Sequence, residues 1–422
     1  MQIGINASFA RKENTGIGQV TINFLRKLIE LKAKSEKRKT NDEFVLYLEE
    51  DIDLKLPDNF TKRIFLPFWK RDDLIRKIWW EKFLLPKKVK EDGCDVFISL
   101  YQCPTIITSP PQMRRGLRGG VDKFQYLSVP AGHLPSFEGR RLIHIMIVHD
   151  IIPKLFPEYL NNSRKKLYWK QTEKAIKKAD KIIAISHRTE KDLVQHLQIP
   201  PEKISVDYID VDEIYKKEIN DTAGMNVLRK YNLQPGYIYS GGGLEIRKNI
   251  EGVIRAYNIL YKKNKREKFV SEFPPLVISG KLMPELKPLV TDAEKLVKEL
   301  NLTQSVKLLD FVEQEDLPAI HKNALMFIYP SKYEGFGLPV LEAMNQGNPV
   351  ITSKTSSLPE VGGDSVLYCD PEDVHDLAMV IKNVLVNREL RETLSRRAKE
   401  RAKNFSWEKF VGKVLNIIEN WK

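Results

Sequence analysis

Leu325-Met326-Phe327-Ile328-Tyr329-Pro330-Ser331-Lys332-Tyr333-Glu334-Gly335-Phe336-Gly337-Leu338-Pro339-Val340-Leu341-Glu342 reads as a strand, a glycine-bearing loop and the opening of a helix. Five successive apolar residues suit a strand of a parallel sheet that is covered on both faces. Pro339 near the first helical position and Gly347 just past the end punctuate the helix. In an open α/β sheet, ligands bind where a loop leaves the carboxyl end of a strand. Gly335 and Gly337 allow close backbone approach, and the free N–H groups of the helix that begins at Leu338 favour an anion such as a diphosphate. Glu334 precedes the helix and can reach hydroxyl groups of a ligand. Glu342, about one turn inside, can accept both hydrogens of a ribose diol.

The same rhythm extends outward from this segment. Strands are expected at 237–240, 276–279 and 306–312, with helices around 293–300 and 317–324. Strand 237–240 runs into Gly241-Gly242-Gly243, and Ile250, Val253, Tyr257 and Leu260 then follow the helical period. Asn249 is the expected N-cap of that helix. Arg247 and Lys248, adjacent at its start, can clamp a diphosphate and neutralise charge on a departing group. The loop is not of the G-x-x-x-x-G-K-[ST] form.

The first half repeats the alternation. Residues 1–9 form an expected strand, followed by Thr15-Gly16-Ile17-Gly18 and a helix marked by Val20, Phe24, Leu28 and Leu31. Strands follow at 95–99, 144–148 and 180–185, and Ser186 caps a helix through His196. Two such blocks imply two doubly wound α/β domains, with the change near 210–220. Residues 405–421 make a separate amphipathic helix, whose apolar face must be buried on its own domain or on the first.

The 422 residues, 42% hydrophobic and 30% charged, describe an ordinary globular chain of two or three domains. No signal peptide or spanning segment is evident. Cys94, Cys103 and Cys369 match no zinc or redox spacing and suit free thiols in a reducing cytoplasm. The net charge of +13 is compatible with nucleic acid, an anionic membrane face or phosphorylated substrates, and equally with lysine-rich solvated helices.

Taken together, the chain resembles the retaining glycosyltransferases of family 4, with their two-domain GT-B fold. The likeness rests on Thr15-Gly16-Ile17-Gly18, Ile147-Val148-His149-Asp150-Ile151-Ile152-Pro153, Ser186-His187-Arg188-Thr189, the turn at 242–250, the E-x7-E segment from Glu334 to Glu342, and Ser406-Trp407 in the terminal helix. The resemblance implies two Rossmann-like domains facing a cleft: residues 1–212 for the acceptor, 213–402 for the nucleotide sugar, and 403–422 as a helix crossing back to the first. It implies that Arg247 and Lys248 hold the diphosphate, Glu334 the donor-sugar hydroxyls and Glu342 the ribose. Gly335, Phe336, Gly337 and Leu338 would touch sugar and phosphate through their backbone, Gly242 would lie by the phosphates, and Phe311-Val312 by the base. Gly18 would close over the donor, and His149 would sit against its sugar.

The expected reaction transfers a hexose with retention and a front-face mechanism, with no cofactor and no bound metal. The overall likeness is to bacterial polysaccharide mannosyltransferases. GDP-mannose is therefore the first expectation for donor and a UDP-sugar the second. The acceptor would be a saccharide or a lipid-linked saccharide, and the protein would be cytoplasmic, with peripheral contact to an anionic inner membrane face. No specific nucleic-acid partner is expected, since no reading helix or RNA-binding motif is present. A pyridoxal-phosphate lysine motif of a phosphorylase is likewise not found.

Three features stand apart from the family pattern. Between Pro104 and His144 lies a long basic insertion with Arg114, Arg115, Arg118, Arg140 and Arg141, a length that in compact domains usually serves function or motion. Residues 69–88 carry a basic, aromatic pattern that suits a membrane-surface helix, although a helix packed on the first sheet is the preferred reading. Asp51-Ile52-Asp53 and Asp210-Val211-Asp212 are D-x-D matches placed in a loop and a linker, and are read as structural.

Overall fold

The computed structural model describes residues 1–34, 42–67, 74–107, 141–283 and 287–420. Two parallel sheets organise the chain. The first has the order β3-β2-β1-β4-β5-β6-β7, built from β1 (Gln2–Asn6), β2 (Glu43–Leu48), β3 (Phe60–Ile64), β4 (Val96–Ser99), β5 (Ile143–Val148), β6 (Lys181–Ala184) and β7 (Ile204–Val206). The second has the order β10-β9-β8-β11-β12-β13, from β8 (Tyr237–Ser240), β9 (Leu276–Ser279), β10 (Val306–Leu309), β11 (Ala324–Tyr329), β12 (Val350–Ser353) and β13 (Leu367–Cys369). Every residue of β4, β5, β8, β9 and β12 is buried, which is why these strands read as predominantly apolar runs.

Each sheet has one point where the strand order reverses. In the first it lies between β1 and β4, which pair Ile3 with Val96. In the second it lies between β8 and β11, which pair Tyr239 with Phe327. Loops leaving the two strands on either side of such a point splay apart and leave a crevice. The glycine turn after β8 and the Glu334 loop after β11 flank this crevice.

Among the helices that frame the sheets and their loops are α1 (Gly16–Lys34), α2 (Leu74–Trp79), α3 (Leu85–Glu91), α4 (Ser163–Lys178), α5 (His187–Leu197), α6 (Ile250–Glu267), α7 (Leu338–Asn345) and α8 (Trp407–Glu419). One wide turn, Trp80–Leu84, joins α2 to α3. Helix α8 crosses back to the first sheet. The Trp407 indole donates to the Val211 carbonyl at 2.8 Å, and Phe410 meets Phe24 of α1 edge-on at 6.3 Å between ring centroids. Its buried stripe of Trp407, Phe410, Val411, Val414 and Ile418 explains the amphipathic pattern.

Several expectations change. The strand expected at 306–312 ends at Leu309, so Phe311 and Val312 lie in the following loop. Residues 43–48, 60–64, 204–206, 350–353 and 367–369 add strands that the alternation does not single out. Asn249 holds the N-cap position of α6, but its backbone is left-handed (φ 60°) and its side chain donates to the Pro371 carbonyl instead of making a capping hydrogen bond. Ser186 does cap α5, accepting from the Thr189 N–H at 3.0 Å.

Both D-x-D matches are engaged in ion pairs: Asp51 with Lys62, Asp210 with Lys216, and Asp212 with Arg26. Arg114, Arg115, Arg118 and Arg140 of the basic insertion lie outside the described residues, as do the first residues of the 69–88 segment.

Candidate functional site

Glu334 sits at the centre of a buried cluster. Its Oε1 atom receives the Tyr329 hydroxyl at 2.7 Å, the Ser331 hydroxyl at 2.8 Å, the Lys248 ammonium at 2.8 Å and the Arg247 guanidinium at 2.8 Å. Lys248 also touches the Tyr329 hydroxyl. The cluster follows from topology. Tyr329 ends β11, Ser331 and Glu334 stand in its loop, and Arg247 and Lys248 stand on the neighbouring loop after β8. The hydrogen bond from Lys332 N to the Arg247 carbonyl ties the two loops together.

The electrostatics follow from burial and pairing. Desolvation alone would raise the Glu334 carboxyl, but Arg247 and Lys248 hold it down at about 2. Burial and the adjacent Arg247 charge lower Lys248 below the ordinary lysine range. Although burial opposes it, the Glu334 and Glu245 carboxylates raise Arg247 further, so its charge is permanent. A permanent cation, a second cation with a reduced pKa and a carboxylate in a dry crevice can hold a diphosphate and favour negative charge on a leaving oxygen.

Glycine is required at three points of the site. Gly242 has φ +93°, and a Cβ there would lie 2.9 Å from the Tyr329 ring and 3.1 Å from Pro339. Gly337 has φ +119° and leads into α7. At Gly335 a Cβ would lie 2.1 Å from the His149 carbonyl oxygen. The glycine there serves a close approach between the two halves of the chain, an addition to the ligand approach read from sequence.

The first half grips the Glu334 loop. Ser186 Oγ donates to the Gly335 carbonyl at 2.6 Å, and Thr189 Oγ1 lies 3.0 Å from the His149 carbonyl. The Tyr333 hydroxyl donates to Asp192 at 2.6 Å. At the start of α5 the His187 and Arg188 N–H groups donate to the Glu360 carboxylate at 2.8 and 2.7 Å. That helix terminus therefore satisfies its donors with a side chain of the other half. Tyr159 reaches Glu245 at 3.3 Å.

The remaining expected residues divide. The His149 ring is buried, with Nε2 donating to the Leu100 carbonyl at 2.9 Å, and burial lowers it to about 4, so the imidazole is neutral. Its backbone, not its ring, meets the Glu334 loop. The Phe336 side chain packs into an aromatic group with Tyr208 and Phe405. Glu342 is buried one turn into α7, and desolvation pushes it up to about 7 against the pull of Tyr215 and Lys248. Leu338 opens α7, Val312 is buried and Phe311 exposed. Gly18 lies at the start of α1, where a Cβ would collide with the Lys12 carbonyl. Near it, Gln19 faces Gln314 and Glu315 across a crevice of about 100 Å³.

Tyr329, Ser331, Ser186, Thr189 and Glu360 join the site without having been expected there as contacts. Tyr329 is legible as the last residue of a strand before a polar loop. Glu360 carries no sequence signal, because its role depends on which helix end packs beside it.

Comparison with known proteins gives the family and the fold. The family described as Glycosyl transferases group 1 matches residues 229–401, and the one described as Glycosyltransferase Family 4 matches residues 101–208. O-antigen chain mannosyltransferase B of Escherichia coli is 33% identical over 272 residues, covering 64% of this chain and 68% of that protein. The serotype-specific mannosyltransferase WbdA of Escherichia coli is 28% identical over 67% of this chain, a match that spans 33% of its own length. Among solved structures, WaaG, a glycosyltransferase involved in lipopolysaccharide biosynthesis, superposes with a TM-score of 0.67 at 16% identity, covering 99% of each chain. Anabaena HepE in complex with UDP and glucose gives 0.66 at 16%, covering 100% of each.

Proposed function

We propose that this chain, which belongs to glycosyltransferase family 4 and is a glycosyltransferase of GT-B fold, moves a mannosyl group from GDP-mannose to a saccharide or lipid-linked acceptor in cell-surface polysaccharide synthesis. The observation that carries the reading is the cluster of Arg247, Lys248 and Glu334 at the strand-order reversal between β8 and β11. Mannose is favoured by the relatives, which are named as mannosyltransferases. HepE, with UDP and glucose, favours a UDP-sugar as the second reading.

In this proposal residues 1–212 take the acceptor, residues 213–402 take the donor, and residues 403–422 strap the two together. Arg247 and Lys248 leave Glu334 for the donor diphosphate, and Glu334 turns to the sugar hydroxyls. The backbone of Gly335, Phe336, Gly337 and Leu338 borders sugar and phosphate, beside Gly242. Glu342 accepts from the ribose, and Phe311-Val312 flank the base. Gly18 closes from the first half, and the neutral His149 borders the sugar.

The bond from the anomeric carbon to the diphosphate oxygen breaks, and the bond to the acceptor oxygen forms on the same face. The acceptor proton passes to the departing phosphate oxygen, whose charge Arg247 stabilises. Anomeric configuration is thereby retained, with no cofactor or metal assigned a step. The protein works on the cytoplasmic side, with peripheral contact to an anionic membrane face. No helix of the described residues is long and apolar enough to cross a membrane.

A thermal-shift screen of nucleotide sugars tests the donor. At about a hundred times its dissociation constant a true donor adds ~2.7 kcal/mol of apparent stability. Stabilisation by GDP-mannose above all UDP-sugars is expected, with the anomer of the product read by NMR. No shift with any nucleotide sugar would overturn the reading.

A further inference from the structure

The wide turn between α2 and α3 decides which side chains of this stretch reach the interior. A turn of this kind adds a residue to the helical cycle and redirects the side chains around it. Trp80 enters the core, its indole donating to the Phe65 carbonyl at 2.8 Å and its ring stacked on Phe65, while Trp79 and Phe83 stay exposed. Glu81 enters as well and is fully buried. Its two carboxylate oxygens receive the Tyr101 hydroxyl at 2.5 Å and the Tyr168 hydroxyl at 2.9 Å.

Lys77, one turn before Glu81, is held in another way. Its ammonium lies 4.2 Å from the centroid of the Phe9 ring, 5.2 Å from that of Tyr168 and 5.4 Å from that of Tyr101. The three rings come from the segment after β1, from α4 and from the loop after β4. Ring faces attract a cation through their quadrupole but supply no lone-pair acceptor. Glu81 stands 3.8 Å away, beyond hydrogen-bond reach, with both oxygens engaged by the tyrosines. Among the described residues no group accepts a hydrogen bond from the Lys77 ammonium. It is a positioned cation whose donors are unused.

Lys77 lines a cavity of about 310 Å³ between α2 and α4. Tyr159, Tyr168 and Trp169 supply aromatic walls, and Lys165 of α4 adds a second cation. The Lys165 ammonium makes no ion pair among the described residues, and no carboxylate of those residues lines the cavity. Gln102 and Tyr159 border it on the side of the charged cluster. Gln102 accepts the His149 N–H at 3.1 Å and donates to the Asp150 carbonyl at 3.2 Å, and Tyr159 reaches Glu245, the ion-pair partner of Arg247. Aromatic walls with a few convergent polar groups are the form of a small-molecule site. Two cations without an opposing acid make that site one for an anion.

We propose that this cavity recognises the acceptor by a phosphate group: it takes a phosphorylated saccharide, with the sugar ring on the aromatic walls and the phosphate oxygens on Lys77 and Lys165. The inference rests on the glycosyl-transfer reading and adds a charge requirement together with the residues that impose it. A neutral saccharide uses the rings but leaves both cations unpaired. The phosphate can belong to a free sugar phosphate or to a lipid diphosphate, since both present the same oxygens.

The test is calorimetry of the full chain, its donor site filled with the nucleotide that stabilises it, against methyl mannoside, mannose 1-phosphate and mannosyl farnesyl diphosphate. Mannose 1-phosphate should bind about tenfold or more tighter than methyl mannoside, the range of a charge-assisted hydrogen bond. Lys77→Met, whose thioether suits an aromatic surround, should lose most of that preference, and Lys165→Gln part of it. Lys77→Arg keeps the charge and should retain it, and Lys170→Gln, on α4 outside the cavity, should match the parent. Should Lys77→Met fail to fold, the exposed end of Lys165 makes Lys165→Gln the deciding variant. Tighter binding of the farnesyl form assigns the phosphate to a lipid diphosphate and equal binding to a free sugar phosphate, and either result supports the contact. Equal affinity for neutral and phosphorylated sugar, a parental preference in Lys165→Gln, or an equal loss in Lys170→Gln would overturn the proposal. The nucleotide thermal shift reports separately on transfer: no shift in the parent fails the glycosyl-transfer reading, whereas a normal shift without phosphate preference fails the cavity alone.

Discussion

Ser186 and Gly335 stand 149 positions apart and share a hydrogen bond of 2.6 Å from hydroxyl to carbonyl. The same hydroxyl accepts the Thr189 N–H and so ends the first turn of α5. One side chain thus caps a helix of the first sheet and holds the loop that carries Glu334 on the second. The geometry of the charged cluster is therefore coupled to the way the two halves meet.

Gly335→Ala tests that coupling. A Cβ would lie 2.1 Å from the His149 carbonyl, a backbone atom that cannot swing aside. Each half should fold, since the clash lies between them. We expect unchanged circular dichroism, a larger radius of gyration by small-angle scattering, and transfer reduced about a hundredfold, as for small misplacements of reacting groups. Parental activity would show that the contact is not part of the working state.

Glu334→Gln keeps shape and removes charge. Two buried cations then lack their anion, and loss of one partner of a buried pair costs about 3 kcal/mol. Urea unfolding at neutral pH should show that loss, and transfer should fall at least about a hundredfold. The parent's advantage is present above about 4.5 and fades as pH falls towards 2, because the folded carboxyl titrates at about 2 and the free one at 4.5. An equal advantage at pH 3 and pH 7 would refute the pairing.

Glu342 gives the opposite sign. The folded carboxyl titrates at about 7 and the free one at 4.5, so between these values the folded state holds more protons. Stability should rise as pH falls from about 7 towards 4.5, and Glu342→Gln should flatten that rise in urea midpoints. In the donor proposal the same variant weakens nucleotide binding, read by calorimetry. Parallel midpoint curves for parent and variant would rule out the raised carboxyl.

His149 should not titrate across the physiological range. Burial lowers it to about 4 despite the Leu100 hydrogen bond. The imidazole resonances should stay constant from about pH 8 to 5, with no His149 inflection in transfer rate between them. A midpoint near 6.5 by NMR would mean that the ring is solvated.

The residues that carry the donor proposal are legible in the sequence because their signals are local. A strand, a glycine and a helix start lie within a few positions of each other, and charge at such a place has few structural uses. The short strands at 204–206 and 367–369 are not legible, since three residues carry no period. Phe311 and Val312 fall outside the strand that their apolar character suggests, because that character alone does not show where a ladder stops. Asn249 suits a cap by residue type. Its left-handed backbone instead turns the side chain to Pro371, a partner 122 positions away.

The sequence by itself determined that two parallel α/β units follow one another and that glycine-flanked charges sit at the strand ends, since period, turn chemistry and helix punctuation act over a few residues. Only the tertiary structure decided that Arg247, Lys248, Tyr329 and Ser331 converge on one oxygen of Glu334, and that His149 contributes a buried ring and a backbone contact. It alone placed Trp79 and Phe83 outside and Trp80 inside. These outcomes depend on strand order, on desolvation and on which surfaces meet, and all three are set by contacts between residues far apart in the chain.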